Sequence, residues 1–266
     1  MRRVCSAVGN RVTTSGNMRR VCSAVGNRAH NVLLSGGIFH NFADTSASLA
    51  ASFRSLSIDT EIHTDVEAGL ERLTELEGDN PSLLTINMLR WQMEGEKYDT
   101  HREEWAFELS AEGQQAICSH VQRGGGLLVL HTGAICFDTW GGWQDVLGGA
   151  WKWGDSYHPP LGRVEVRPTG LEHPINQGMA DQGFVVNDEV YTRLALCPDV
   201  EPILAAVPED GVVPQPIMWA RSFGEGRVVY DALGHDVASM EQVTHAKLLR
   251  RAALWALGRD DEIKDH

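Results

Sequence analysis

Residues 126–140 read GLLVLHTGAICFDTW. Leu127 to Leu130 are apolar at every position, and the run ends on His131, followed by the small pair Thr132-Gly133. A strand apolar on every residue is buried on both faces, as in a parallel sheet covered by helices. In many α/β enzymes the turn leaving such a strand holds a nucleophile. Here it holds an imidazole. Cys136, five residues on in a stretch with helical character, reads as buried.

The same grammar recurs on both sides. Val32 to Leu34 with Ser35-Gly36-Gly37 predicts a first strand and its turn, and Ala43 to Phe53 the helix behind it. Ser57 to His63 and Leu83 to Ile86 predict two more strands, with Leu70, Leu73 and Leu76 at helical spacing between them. Ser110 can cap a helix running to about Gln122, which Gly124 to Gly126 would end. Strand–helix alternation of this kind predicts a doubly wound α/β fold, flavodoxin-like, with a mostly parallel sheet flanked by helices. After residue 150 the pattern loosens. Arg163 to Arg167 alternates, as an outer or antiparallel strand does, and Ile203–Val207, Ile217–Ala220 and Val228–Ala232 are further strand candidates. A final helix has Ser239 and Gln242 as a capping box, an apolar stripe from Val243 to Trp255, and Gly258 to close it. Residues 88–109 are a long polar-aromatic insertion with Trp91, Tyr98 and Trp105, of the kind that is either functional or disordered.

With 266 residues, 42% of them hydrophobic, the chain suffices for one large domain. Its expected limits are 30–259, with 260–266 a charged, frayed tail. MRRVCSAVGNR at 1–11 recurs at 18–28. One short repeat does not build a solenoid, so residues 1–29 read as a duplicated, disordered leader, with Met18 a second start. The net charge is −13. Such a surface repels phosphate backbones and anionic membranes, so neither nucleic acid nor a membrane is an expected partner. No apolar run approaches the roughly 18 residues of a spanning helix. Five scattered cysteines point to a reducing compartment, the cytoplasm.

In an open parallel sheet, ligands bind at the carboxyl ends of the strands. His40 follows the first strand, His131 the fourth and His235 the last. Three histidines after three separate strands suit proton transfer, or a divalent metal such as Zn²⁺ held by His40, His131 and His235 with Glu189 nearby. Against a metal, no H-x-H or H-E-x-x-H spacing places two ligands on one element. Asp188-Glu189 beside Tyr191 is a paired-carboxylate cluster fit for acid–base work, or a solvated acidic turn. Trp140, Trp143, Trp151 and Trp153 fall within 14 residues interleaved with glycines. They either stack on sugar faces or pack a small core under a loop. His158 precedes a proline, which fixes its backbone. G-x-G-x-x-G, Walker and G-x-S-x-G motifs are absent, so dinucleotide, nucleotide and elbow-serine chemistry find no support.

GGGLLVLHTGAICFDTW, HPP, EHPI, DEVY, PIMWAR and GEGRVVYDALGH before RRAALWALG stand in one order that resembles the trehalose-utilisation (ThuA-like) family over about 32–258. The resemblance implies a class I glutamine-amidotransferase-like fold. In true amidotransferases the turn after this strand carries a cysteine, and a later histidine sits in a His-Pro-Glu run. Here the turn carries His131 and Thr132, and Asp236-Val237 follows His235. A glutaminase is therefore not expected. The resemblance implies an enzyme acting on a sugar derivative (glycoside, disaccharide or keto-sugar) by isomerisation, elimination or glycosidic cleavage. The alternative is a non-catalytic sugar-binding module on a degenerate amidotransferase fold. The expected catalytic set is His131, His235, Glu189 and Asp188. The expected substrate-binding set is His40, Trp140, Trp143, Trp153, His158 and Tyr191, with Trp219 and Arg221 from PIMWAR. A small-molecule sugar is the expected partner, and a homo-oligomer is compatible with this reading.

Overall fold

The computed structural model describes residues 28–76, 78, 81–179, 182–208 and 213–266. Most of the leader expected over 1–29 lies outside them, but Ala29 is buried and opens the first strand. In chain order the elements are β1 (Ala29–Gly37), α1 (Phe42–Arg54), β2 (Ile58–His63), α2 (Val66–Glu75), β3 (Ser82–Leu89), α3 (Asp99–Trp105), α4 (Ala111–Gln122) and β4 (Gly126–Leu130). Then follow α5 (Gly142–Leu147), β5 (Gly149–Ala150), β6 (Gly162–Pro168), β7 (Phe184–Asp188), β8 (Ala195–Leu196) and β9 (Glu201–Ala206). The chain continues through β10 (Gln215–Phe223), β11 (Gly226–Asp231), α6 (Val237–Met240) and α7 (Val243–Ala256).

The main sheet has the order β2-β1-β3-β4-β11-β10-β9-β6-β7. The five strands from β2 to β11 are parallel, and β10, β9, β6 and β7 extend the sheet antiparallel. Helices α2 and α4 pack together on one side, and α1 meets α6 and α7 on the other. This is the doubly wound α/β arrangement. Its inner parallel strands are buried on both faces, as with Leu127 to Leu130, all 0% exposed, while β2 at the edge is partly exposed. The helices begin where short polar side chains can cap them: Asn41 accepts from the Asp44 amide, Asp65 from Ala68, and Ser110 from Gly113.

Two features position the site. β1 ends on Gly37, at φ +123°, where any Cβ would lie 2.3 Å from the Leu89 carbonyl oxygen. Only glycine lets the turn to His40 leave that close to β3. The second is curvature. β7 pairs with β6 at the far edge, yet Asp188 at its end accepts from the Gly234 amide, just beyond β11. The antiparallel half therefore curls back and returns its edge strand to the carboxyl end of the parallel half.

Several expectations are corrected. Strand β7 was not foreseen, because FVVND is short and ends on charge. Ser239 does not open the last helix as a capping box. It lies inside α6, and Gln242 caps α7 by accepting from the His245 amide. Residues Asp260–Asp265 form a 3-10 helix with Ile263 buried, not a frayed tail. After β4 the chain makes a 3-10 turn, His131–Ala134, before α5, so Cys136 lies in that turn region and not in a helix, though it is buried as expected. The insertion after β3 is ordered, with a 3-10 turn at Glu96–Tyr98 leading into α3. No helix among the described residues is long and apolar enough to cross a membrane.

Candidate active site

His131 stands at the first position after β4 with φ +44°. A non-glycine residue in this left-handed region is strained by roughly 1–3 kcal/mol and persists only where its surroundings over-determine it. They do so here. Tyr230 donates its hydroxyl to the His131 carbonyl at 2.8 Å, and Thr132 donates to the Met88 carbonyl at 2.7 Å. At Gly133 a Cβ would lie 2.3 Å from Val129 Cγ1, so the turn must pass on through a residue without a side chain. The sharp elbow of the fold survives with an imidazole at its tip.

His131 Nδ1 donates to the Ala232 carbonyl at 2.6 Å, which leaves Nε2 for the neighbouring side chains. That nitrogen meets His40 Nε2 at 3.3 Å and Glu189 Oε2 at 3.4 Å. The same carboxylate oxygen lies 3.6 Å from His235 Nδ1, and the other oxygen lies 3.5 Å from His158 Nδ1. The His40 ring is 4.6 Å from that of His235. The three strand-end histidines and Glu189 thus converge, as the sequence led us to expect. Glu189 Oε2 and His235 Nδ1 are buried without a hydrogen-bond partner.

The electrostatics follow from this crowding. Burial lowers the His40 pKa to about 4, with neighbouring His131 and His235 adding to the effect, so it is neutral near pH 7. Burial also opposes the charged form of His131, but Glu189, Asp188 and the Ala232 carbonyl outweigh it and raise its pKa. For Glu189, burial pushes upward, and His131 with the other imidazoles pulls the carboxyl below its ordinary value. The buried Cys136 thiol is pushed up to about 12 and donates to the Met88 carbonyl. It is no nucleophile.

Above this floor lies a cleft of about 520 Å³. His40, Glu189 and His235 line it, together with Trp153, His158 and Tyr191 from the expected binding set. Tyr191 tilts against His131 with ring centres 4.8 Å apart and stacks on His158 at 5.3 Å. Trp91, Tyr98 and Trp151 also line the cleft. They were visible as aromatics in the insertion and the tryptophan segment but were not assigned to the site. The signal was there: the insertion leaves the carboxyl end of β3, the ligand-binding edge. Trp91 stacks on Trp153 at 6.4 Å, and the indole nitrogens of Trp91 and Trp151 are buried without partners.

Five expected residues stand outside both the cleft and the histidine cluster, while His131 belongs to the cluster but not to the cleft lining. Asp188 is 1% exposed and accepts from the Glu189 amide at 2.8 Å, the Gly234 amide at 2.8 Å and the Ser239 hydroxyl. It pins the Glu189 and His235 loops together. Strand alternation turned it the other way from Glu189. Trp143 is core, donating to the Gly133 carbonyl at 3.1 Å, and Trp140 stacks against it. Trp219 is 0% exposed and donates to the Leu147 carbonyl. Arg221 is held by the Asp145 carbonyl at 2.6 Å and Asp199 at 2.8 Å.

A family model described as trehalose utilisation matches residues 59–256. The chain belongs to the trehalose-utilisation (ThuA) family, whose role lies in sugar metabolism, and it has the class I glutamine-amidotransferase-like fold of that family. Among solved structures it is similar to a ThuA-like protein from Parabacteroides merdae ATCC 43184 (17% identity, 86% of this chain and 90% of that one, TM-score 0.66). It is also similar to a ThuA-like protein from Bacteroides uniformis ATCC 8492 (19%, 89% and 94%, TM-score 0.64). A third, described as a cytoplasmic protein of Salmonella typhimurium, has 12% identity over 87% and 97% of the two chains, with TM-score 0.54. No curated protein matches the chain.

Proposed function

We propose that this protein is an enzyme of sugar metabolism that acts on a keto-sugar by acid–base chemistry. What carries this reading is the join between floor and wall of one cleft. Histidines 131, 235 and 40 with Glu189 converge at its base, and Trp151, Trp153 and Tyr191 line it. Aromatic faces stack on the C–H faces of sugar rings. The buried, unpartnered indole N–H of Trp151 is a donor waiting for a hydroxyl, since a buried indole N–H ordinarily finds an acceptor.

The choice of reaction follows from which groups reach the cleft. Glycosidases that cleave directly use two carboxyl groups flanking the bond. Among the described residues Glu189 is the only carboxylate lining this cleft. Covalent catalysis through the elbow is also unsupported, because Thr132 and Cys136 are committed to the Met88 carbonyl. Imidazoles around one carboxylate instead suit removal of a proton from the carbon next to a carbonyl. His158 donates Nδ1–H to the Pro159 carbonyl at 2.9 Å. Its Nε2 then carries the lone pair, and we assign it as the base. His235, which lines the cleft, faces the oxygen on which charge develops, with the buried His131 behind it against Glu189. The products are those of isomerisation, or of elimination of a substituent on the next carbon. Unpaired cysteines at 118, 136 and 197 fit the reducing cytoplasm, where we place the enzyme.

The test is incubation of the purified protein in D₂O with oxidised and unoxidised disaccharides, followed by NMR and mass spectrometry. Deuterium uptake beside the carbonyl, with or without bond cleavage, is the expected result with the oxidised sugars. Binding without exchange or turnover across that panel would overturn the enzyme and leave a sugar-binding module.

A further inference from the structure

We infer that His40, His131, Glu189 and His235 form a mononuclear centre for a divalent first-row transition metal, with Zn²⁺ the best match. This deepens the proposed function, because it lies at the floor of the same cleft. It stands on separate observations.

The first is distance. One ligating atom from each of the four residues lies within 4.8 Å of all the others. The closest spacings are 3.3 Å between His131 Nε2 and His40 Nε2, 3.4 Å between His131 Nε2 and Glu189 Oε2, and 3.6 Å between His235 Nδ1 and Glu189 Oε2. A charge-assisted hydrogen bond closes to roughly 2.7–2.9 Å, so the two carboxylate contacts are too long for one. Two ligands each about 2.05 Å from a tetrahedral Zn²⁺ ion stand about 3.3 Å apart. Those three separations are close to the ones that an ion between the side chains would impose.

The second is the state of the atoms. Glu189 Oε2 and His235 Nδ1 are buried and have no hydrogen-bond partner. Folding rarely leaves a carboxylate oxygen and an imidazole nitrogen in that condition, and each such case calls for a partner, an ion among them. His131 presents Nε2 for ligation because its Nδ1 proton is committed to the Ala232 carbonyl. A carbonyl on the far nitrogen of a ligating histidine is the usual outer support of metal sites.

The third is how the loops are braced. Each ligand follows a different strand, and no short motif preorganises two of them, so the scaffold must supply the rigidity. Asp188 supplies it for two of the four. Its carboxylate accepts from the amide of Glu189 and from that of Gly234, next to His235. Three imidazoles and one carboxylate favour Zn²⁺ and its transition-metal neighbours over the oxygen-seeking Mg²⁺ and Ca²⁺. Bound there, an ion would supply Lewis-acid stabilisation of a substrate carbonyl oxygen in place of direct contact from His235.

The full chain, purified without a histidine tag, is analysed for metals, stripped with chelator and titrated calorimetrically with Zn²⁺ and Co²⁺. One equivalent should bind, and Co²⁺ should give visible d–d bands of a four- or five-coordinate ion. His235→Ala and Glu189→Gln should each weaken binding by roughly 100-fold or more, with circular dichroism confirming that they fold. His30→Ala, at the opposite end of β1, should bind as the parent does. Failure of Zn²⁺ and Co²⁺ to bind stoichiometrically, or binding that both ligand variants retain, overturns the centre. Full turnover by metal-free protein also overturns it while leaving the proposed reaction intact. Stoichiometric binding without turnover of any sugar supports the centre and overturns the reaction.

Discussion

His131 Nδ1 lies 2.6 Å from the carbonyl oxygen of Ala232, the residue directly after β11. That one bond ties the elbow after β4 to the neighbouring parallel strand. It also settles which ring nitrogen is free to meet His40 and Glu189.

Replacing His131 by Asn should abolish turnover, by at least about 100-fold, while the protein still folds. Asparagine tolerates positive φ better than most residues, so the elbow survives, but the imidazole that stands between His40 and Glu189 is lost. His131 is 1% exposed, so the change is not free. Leaving the Ala232 carbonyl unpaired costs about 1–3 kcal/mol. Urea unfolding beside an activity assay separates the two effects. A variant with near-normal turnover would remove His131 from the mechanism.

Asp188 is a positioning residue, and Asp188→Asn should show it. The substitution puts an amide where three donors converge, costing about 2 kcal/mol of stability and lowering kcat more than it raises KM. A loss of stability with unchanged kcat per folded molecule would confine Asp188 to a structural role.

The tryptophans should divide into two groups. Trp151→Phe removes an indole N–H that has no protein partner. We expect little change in Tm and a KM raised several-fold, equivalent to about 1 kcal/mol for one hydrogen bond to a sugar hydroxyl. Trp219→Ala should cost about 3–5 kcal/mol, as truncating a buried aromatic does, because Trp219 is fully enclosed. The reverse pattern would mean the cleft is not the sugar site.

His245 Nε2 sits 2.8 Å from Asp231 Oδ2, both side chains 0% exposed. Burial alone would lower the His245 pKa, but Asp231 and the Ser239 carbonyl outweigh it and raise it. The folded protein therefore holds this proton more tightly than the unfolded chain. The stabilisation is complete below the unfolded value of about 6.5 and is lost as pH rises through the higher folded one. His245→Ala should destabilise by about 3–5 kcal/mol in mildly acidic solution, since it strands a buried carboxylate. Denaturation at a series of pH values should show that gap narrowing toward alkaline pH. A gap independent of pH would contradict the raised pKa.

Cys136 should resist iodoacetamide in the native protein, because burial pushes its thiol up to about 12 and only the thiolate reacts. Among the described residues, Cys118 and Cys197, both partly exposed, should label before it. Rapid native labelling of Cys136 would reopen nucleophilic chemistry near the elbow.

The parallel half of the molecule was written in local pattern. Runs such as Leu127–Leu130 can only be buried strands, Ser110 can satisfy the first turn of α4, and residues after strand ends must gather at one edge. So the doubly wound fold and the three histidines at 40, 131 and 235 were legible from residue order and periodicity alone. The antiparallel half was not. β7 is five residues long, and its place beside β6, with its end brought round to Gly234, depends on the curl of the whole sheet, a sum of small twists that no short window contains. For the same reason the sequence could name Asp188 and Glu189 but not separate them. Adjacent strand residues point to opposite sides, and only the packed structure decided that Glu189 faces the imidazoles while Asp188 braces the loops from behind. The tryptophans divide likewise: Trp151 and Trp219 are the same amino acid, and what surrounds each indole N–H made one a wall of the cleft and the other a piece of the core.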